Sequence, residues 1–166
     1  MNQLDVLELL GHLRAAGVRV WLDGGWGIDA LLGQVSRPHA DVDLVVELAA
    51  LARVGQVLGA AGFELTEDLT PTRLVWRVGD GRQVDLHPVT FDAHGTGWQA
   101  GAGADGGDCP YPASEFCRGL IAGQVVPCIS AALQRIHHGG YTPRAHDRAD
   151  MARLGQRFGL APPDGY

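Results

Sequence analysis

Three aspartates on two strand-like runs are the residues whose types and spacing best suit chemistry. Asp41 and Asp43 lie one residue apart in HADVDLVVE, and Asp85 lies in QVDLHPV, two residues before His87. Side chains alternate across a strand, so Asp41 and Asp43 share one face, about 7 Å apart by strand rise. Asp85 and His87 share a face of their own strand in the same way. Two carboxylates this close repel each other unless a cation lies between them. Mg²⁺ suits such a pair, because it takes hard oxygen donors and fills its remaining positions with water and phosphate. With the two strands side by side, all three acids converge. Two would hold metal and bridge to a triphosphate, and Asp85 would accept a proton from a hydroxyl or hold a second ion. An isolated DxD also fits an exposed turn, but the apolar LVV that follows and the second acid-bearing strand point to a buried sheet.

The glycines upstream, in VWLDGGWGIDALLG, admit two readings. Gly25-x-Gly27-x-x-Ala30 after a strand matches a loose dinucleotide-binding pattern, with Asp43 spaced as a ribose-binding acid. Two facts count against that reading. The remaining chain is too short and too hairpin-rich for repeated βαβ units, and a ribose acid leaves the other carboxylates unexplained. In the second reading Gly24 and Gly25 present backbone N–H groups at a helix N-terminus to the β/γ-phosphates beside the metal. This one uses every feature.

The elements that must position these residues follow from the pattern. Leucines at helical spacing predict a helix over Leu4–Ala16, stopped by Gly17. A strand over Val18–Asp23, a helix over Trp26–Leu32, a strand over Asp41–Glu47 and a helix over Leu48–Ala61 come next. Leu74–Val78 and Gln83–Val89 flank Gly79-Asp80-Gly81-Arg82, a hairpin signal. Ala93–Asp108 is glycine-rich, has no period and is predicted to be a long loop. Phe116–Ile121 and Gln124–Cys128 form a second hairpin around Ala122-Gly123. Ser130 caps a helix running to about His138, and a last helix spans Asp147–Arg157. The order is α/β at first, with a helical end.

Composition bounds the partners. The chain has 166 residues with net charge −6, the length of one domain and the wrong sign for a general nucleic-acid binder. All thirteen cationic side chains are arginine, so lysine chemistry of every kind is excluded: P-loop lysine, Schiff base or lysine nucleophile. Any phosphate clamp must be arginine, backbone N–H or metal. No apolar run spans a bilayer, the N-terminus has no secretory pattern, and three cysteines without a CxxC pair argue against a disulfide framework or zinc ribbon. The expectation is a cytoplasmic protein.

WLDGGWGIDALLG, RPHADVDL, VDLHPV and VPCIS followed by a helix and HHGGY occur in that order. Together they resemble the small lincosamide nucleotidyltransferases and, more distantly, the aminoglycoside nucleotidyltransferases of the polymerase-β-like superfamily. The resemblance reaches from the N-terminus to about Leu154. It implies a nucleotidyltransferase fold with a mixed sheet flanked by helices. It also implies Mg²⁺-dependent transfer of AMP from ATP to a drug hydroxyl, and a homodimer. One domain would cover 1–166, with a catalytic core over about 1–92 and an acceptor-completing part over about 93–166. Asp41 and Asp43 become metal ligands, Asp85 the base or third acid, and Gly24 and Gly25 triphosphate contacts. Many superfamily members carry Gly-Ser where this chain has Gly24-Gly25, which leaves only backbone donors. Arg37 and His39 would approach phosphate or shape the loop before the DxD. His138 and Tyr141 match the late motif, on the acceptor side.

Other residues carry paired readings. Arg37 can clamp phosphate through its fork. Asp29 is best read as a dipole partner one turn into its helix. His87 would orient Asp85 or touch substrate, and Trp98 and Tyr111 would stack on a sugar or drug ring. His137, His138 and His146 match no zinc spacing. Asp147 and Asp150 read as a solvated helix stripe that would also suit a cationic acceptor. The reading is an adenylyltransferase acting on a lincosamide, with an aminoglycoside as the second choice of acceptor. A dinucleotide-binding oxidoreductase and a catalytically silent nucleotide-binding module are the rivals.

Overall fold

The computed structural model describes residues 1–103, 105–140 and 142–166. The chain opens with helix α1 (Gln3–Ala15), strand β1 (Val20–Asp23), helix α2 (Gly24–Leu32), strand β2 (Asp41–Glu47) and helix α3 (Leu51–Ala60). Strands β3 (Glu64–Leu69), β4 (Arg73–Arg77) and β5 (Gln83–Phe91) follow, then the short β6 (Gly97–Gln99) and β7 (Cys109–Tyr111). A hairpin of β8 (Phe116–Ile121) and β9 (Gln124–Ile129) leads into α4 (Ala131–His137) and α5 (Ala145–Phe158). Helix α1 starts on a capping box in which Asn2 accepts from the N–H groups of Leu4 and Asp5. Among the described residues, no helix is long and apolar enough to cross a membrane.

The main sheet runs β3-β4-β5-β2-β1-β9-β8, with β6 and β7 extending it from the end of β5. It is mixed: β2 runs parallel to β5 and β1 parallel to β9, while the other pairs are antiparallel. Alternation along the strands separates its two faces. Val20, Leu22, Val42, Leu44, Val46, Val84 and Leu86 join Val6, Leu9, Leu13, Val54 and Leu58 of α1 and α3 in the larger core cluster. The opposite face carries Asp43, Asp85 and His87, with a smaller cluster of Val45, Val89, Tyr111, Ile129 and Leu133 beside them. Ile28 of α2 packs with Ala131, Met151 and Leu154, which ties the first helix after β1 to α4 and α5.

Three elements differ from the pattern-based expectation. Leu48–Ala50 is a 3₁₀ turn ahead of α3 rather than the start of one longer helix. Strand β3 gave no alternating signal because it is an edge strand with nearly every residue exposed. The glycine-rich segment after Ala93 holds β6, which pairs Thr90 with Trp98 and lies too short between glycines to show a period.

Candidate active site

Three neighbouring strands place three aspartates in one row. Asp23 of β1 pairs with Asp43 of β2, and Asp43 pairs with Asp85 of β5. Such a row is unfavourable unless each charge is answered, and each has a basic partner. Arg73 of β4 donates to both Asp85 oxygens, from Nε at 2.9 and 3.0 Å and from Nη2 at 2.5 Å, and also reaches Glu67 at 3.2 Å. His87 Nε2 lies 3.4 Å from Asp43 Oδ1. His137 Nδ1 lies 3.4 Å from Asp23 Oδ2.

The field of these carboxylates shows in the basic groups. Burial opposes a charge on His87, but the Asp43 contact and the nearby charges of Asp43, Asp23 and Asp85 raise its pKa. Burial opposes His137 as well, yet the Asp23 bond and Cys109 push it up to about 9. Asp23 is held below its ordinary value: burial works against this, and the His137 contact, the nearby His87 charge and the Gly24 N–H together outweigh it. The Asp85 hydrogen bonds raise Arg73 further.

Asp43, Asp85 and His87 each turn one ligand atom inward, and these atoms lie within 4.8 Å of one another. Two carboxylate oxygens suit a hard divalent cation, and an imidazole nitrogen extends the set toward Mn²⁺ or Zn²⁺. His87, read as a substrate or orienting residue, is here a member of the cluster. Asp41, half-buried at the start of β2, pairs with Gln83 and is not one of the three.

Helix α2 begins directly beside this cluster. Gly24 has φ +54°, and a Cβ there would lie 2.2 Å from Asp43 Oδ2, so only glycine fits. Its N–H is taken by the Asp23 side chain at 2.7 Å, the helix N-cap, rather than left open toward a ligand. Gly25, one residue further in, is in the first turn, where N–H groups have no partner within the helix. A Cβ on it would meet His39 Nδ1 at 2.4 Å and Arg37 Nη2 at 2.9 Å. Arg37 thus sits against the turn, but its Nε is anchored on Asp150 of α5 at 3.0 Å. His39 is buried, with Nε2 2.6 Å from Asp29 Oδ2, so it shapes the loop from below. Asp29 is correspondingly no dipole partner: it is fully buried and also accepts from the N–H of Ser36 at 3.0 Å.

The acceptor-side expectations fare unevenly. Tyr111 is 2% exposed, and its hydroxyl donates to Gln99 Oε1 at 2.9 Å; it has no free face to stack on a ring. Trp98 neighbours Gln99 on β6 and therefore points to the other side, with its Nε1 donating to Asp92 at 3.0 Å. His138 is buried with Nδ1 2.8 Å from the Gln134 carbonyl, at the end of α4. Tyr141 lies outside the described residues. Asp147 and Asp150 are not a solvated stripe. Both are buried, Asp147 against Arg144 and Asp150 against Arg37 and Arg153.

Sequence reasoning missed Asp23, Arg73, Gln99 and His137. Asp23 carried a usable signal, since it ends the strand before the glycines and has the same side parity as the site. Arg73 and Gln99 carried none: they arrive through the pairing of β4 and the placement of β6, where Gln99 Nε2 lies 3.3 Å from His87 Nδ1.

Comparisons with known proteins give the fold and the sequence their relatives. The chain is 30% identical to a lincosamide resistance protein of Staphylococcus haemolyticus, covering 90% of this chain and 89% of the relative. It is 34% identical to a 2''-aminoglycoside nucleotidyltransferase of Klebsiella pneumoniae, over 74% of this chain and 64% of that protein. It superimposes on the lincomycin-bound lincosamide antibiotic adenylyltransferase LnuA with a TM-score of 0.80 and 28% identity, covering 90% of this chain and 93% of that one. The model of the aminoglycoside-2''-adenylyltransferase family matches residues 5–154. The match of that model over residues 5–154 places the chain in the aminoglycoside-2''-adenylyltransferase family of nucleotidyltransferases.

Proposed function

We propose that this chain transfers AMP from ATP to a hydroxyl of a lincosamide antibiotic and releases pyrophosphate. The observation that carries the reading is the convergence of Asp43, Asp85 and His87 beside the start of α2. The choice of acceptor is supported by coverage taken with identity. The chain spans 89% and 93% of its two lincosamide-linked relatives at 30% and 28% identity, whereas it spans 64% and 70% of curated aminoglycoside enzymes and matches two solved ones over 81% and 88% at only 20% and 19% identity.

Asp43 and Asp85 would hold Mg²⁺, with Asp41 two residues along the same strand as a further ligand for the expected pair of ions. Bound there, the cation neutralises charge on the triphosphate. The remaining work falls to this chain. Gly25 offers a backbone N–H at the positive end of α2 for phosphate oxygens. Arg73 and Arg37 are the arginines near the cluster and the turn, and with no lysine present they serve as clamps. Asp85 accepts the proton of the attacking hydroxyl. Arg73 occupies both of its oxygens, so Arg73 shifting onto phosphate both binds the donor and frees the base. The segment from about 93 onward forms the acceptor side, and the active form is a homodimer, which light scattering checks.

The test is mass spectrometry of lincomycin, clindamycin and an aminoglycoside panel after incubation with protein, ATP and Mg²⁺. A gain of one AMP unit on a lincosamide, abolished by EDTA, is expected. A gain on aminoglycosides alone would move the acceptor, and no gain on any drug would sink the reading.

A further inference from the structure

At the β1 end of the acid row, Asp23 begins a line of contacts that the transfer reading above does not use. Asp23 is 6% exposed at the end of β1, and the N–H of Gly24 fixes it. With its amide turned to satisfy both ends, Gln134 also donates to Asp23 Oδ1 at 3.2 Å. His137 at the end of α4 approaches Asp23 through Nδ1 at 3.4 Å, and its opposite nitrogen, Nε2, lies 3.7 Å from Cys109 Sγ. The Tyr111 ring meets the imidazole edge-on, with centroids 4.7 Å apart, and sets its plane. Carboxylate, imidazole and thiol stand in line. In that order the carboxylate holds the imidazole in its cationic form, and the imidazolium stands beside the sulfur as a partner for a thiolate.

The other two cysteines sit differently. Cys117 and Cys128 face each other across β8 and β9 with sulfurs 3.6 Å apart, and burial pushes both thiols up. Cys128 is buried, whereas Cys109 and Cys117 are both partly exposed, so what separates those two is the neighbour of the sulfur.

We propose that Cys109 is a covalent modification site: a nucleophilic thiol, activated by His137 and oriented through Asp23, that captures small carbon electrophiles. With iodoacetamide the thiol gives its proton to solvent, and the Sγ thiolate, paired with the cationic His137 ring, attacks the methylene carbon. The S–C bond forms as the C–I bond breaks with its electron pair on iodide, and the imidazolium is left unchanged. No oxidant or reductant enters. Cys109 also faces Gln99 in the β6–β7 register, and Gln99 in turn contacts His87. An adduct therefore sits one side chain away from the cation cluster and interferes with transfer; this consequence, unlike the reactivity itself, rests on the function proposed above.

The test treats the full native chain with limiting iodoacetamide and follows each cysteine by peptide mass spectrometry, a readout that needs no turnover. Cys109 is expected to label at least about tenfold faster than Cys117, and His137→Ala to remove most of that advantage while leaving Cys117 unchanged. Equal rates at Cys109 and Cys117 in the unaltered chain would overturn the proposal, and that comparison needs no variant to fold. A Cys109 rate unchanged in both His137→Ala and His137→Gln would also overturn it. Transfer activity should fall with Cys109 labelling and be protected in Cys109→Ser.

Discussion

On α5, Asp150 is 1% exposed and receives Arg37 at 3.0 Å and Arg153 at 3.1 Å; in the sheet, Asp43 and Asp85 receive His87 and Arg73. Both regions hold aspartates against basic groups, yet they are built for different work. The α5 carboxylates each turn toward their own arginines and are sealed: Asp147 pairs at the helix start, and Asp150 joins α5 to the loop before β2 through Arg37. The sheet carboxylates converge within 4.8 Å, and the Asp43 side chain keeps 24% of its surface exposed, so their combined field still reaches solvent. An acid sealed against its own arginine, away from other acids, marks a structural partner. Convergence of acids with one side open marks a site.

The contrast makes unequal demands on substitutions. Asp85→Asn should lower AMP transfer by about 10²–10⁴-fold while the chain stays folded by circular dichroism. Turnover within a few-fold of the unaltered chain would remove Asp85 from the proton-accepting role.

Asp150→Ala should do the reverse. Losing the shared partner of two half-exposed arginines is expected to cost about 1–3 kcal/mol in urea unfolding. Transfer per folded molecule should fall less than about tenfold. A large loss of transfer with stability intact would erase the distinction between the two regions.

The smallest effect concerns pH. The folded pKa of His137 is raised to about 9, so the stability from its pairing with Asp23 is fully present below the unfolded value of about 6.5 and is lost as pH rises through 9. The difference in unfolding midpoint between the unaltered chain and His137→Gln should therefore be largest near pH 6 and shrink toward pH 9.5. A difference that grows with pH would mean the ring is held neutral.

Much of the fold was legible because its signals are local. The DVDLVVE strand has the predicted bounds, Ser130 caps α4 as expected, and the hairpin around Ala122-Gly123 is present. Within the site, Asp43 and Asp85 were readable from strand parity, and their meeting needed only that β2 and β5 be neighbours. Residues whose role depends on a partner distant in sequence were misjudged. Asp29 read as a dipole partner and His39 as a phosphate contact or a loop-shaping residue, and the two form a buried pair that shapes the loop. Asp147 and Asp150 have the i, i+3 spacing of a solvated face, and nothing local announces that arginines and packing would cover them. Tyr111 and Trp98 lie in a region where glycine hides the strand period, so their facing could not be assigned before β6 and β7 were placed.

The sequence by itself determined which residue types were available: no lysine, three acids on two strands, and glycines at a helix start. Those are matters of composition and of the two-residue strand repeat, and they constrain the donor chemistry directly. Only the tertiary structure decided that Asp23 joins the row, that Arg73 answers Asp85, and that His137 stands between Asp23 and Cys109. Each of these contacts joins elements far apart in the chain, and a side chain's charge, reactivity and exposure are set by what is packed against it.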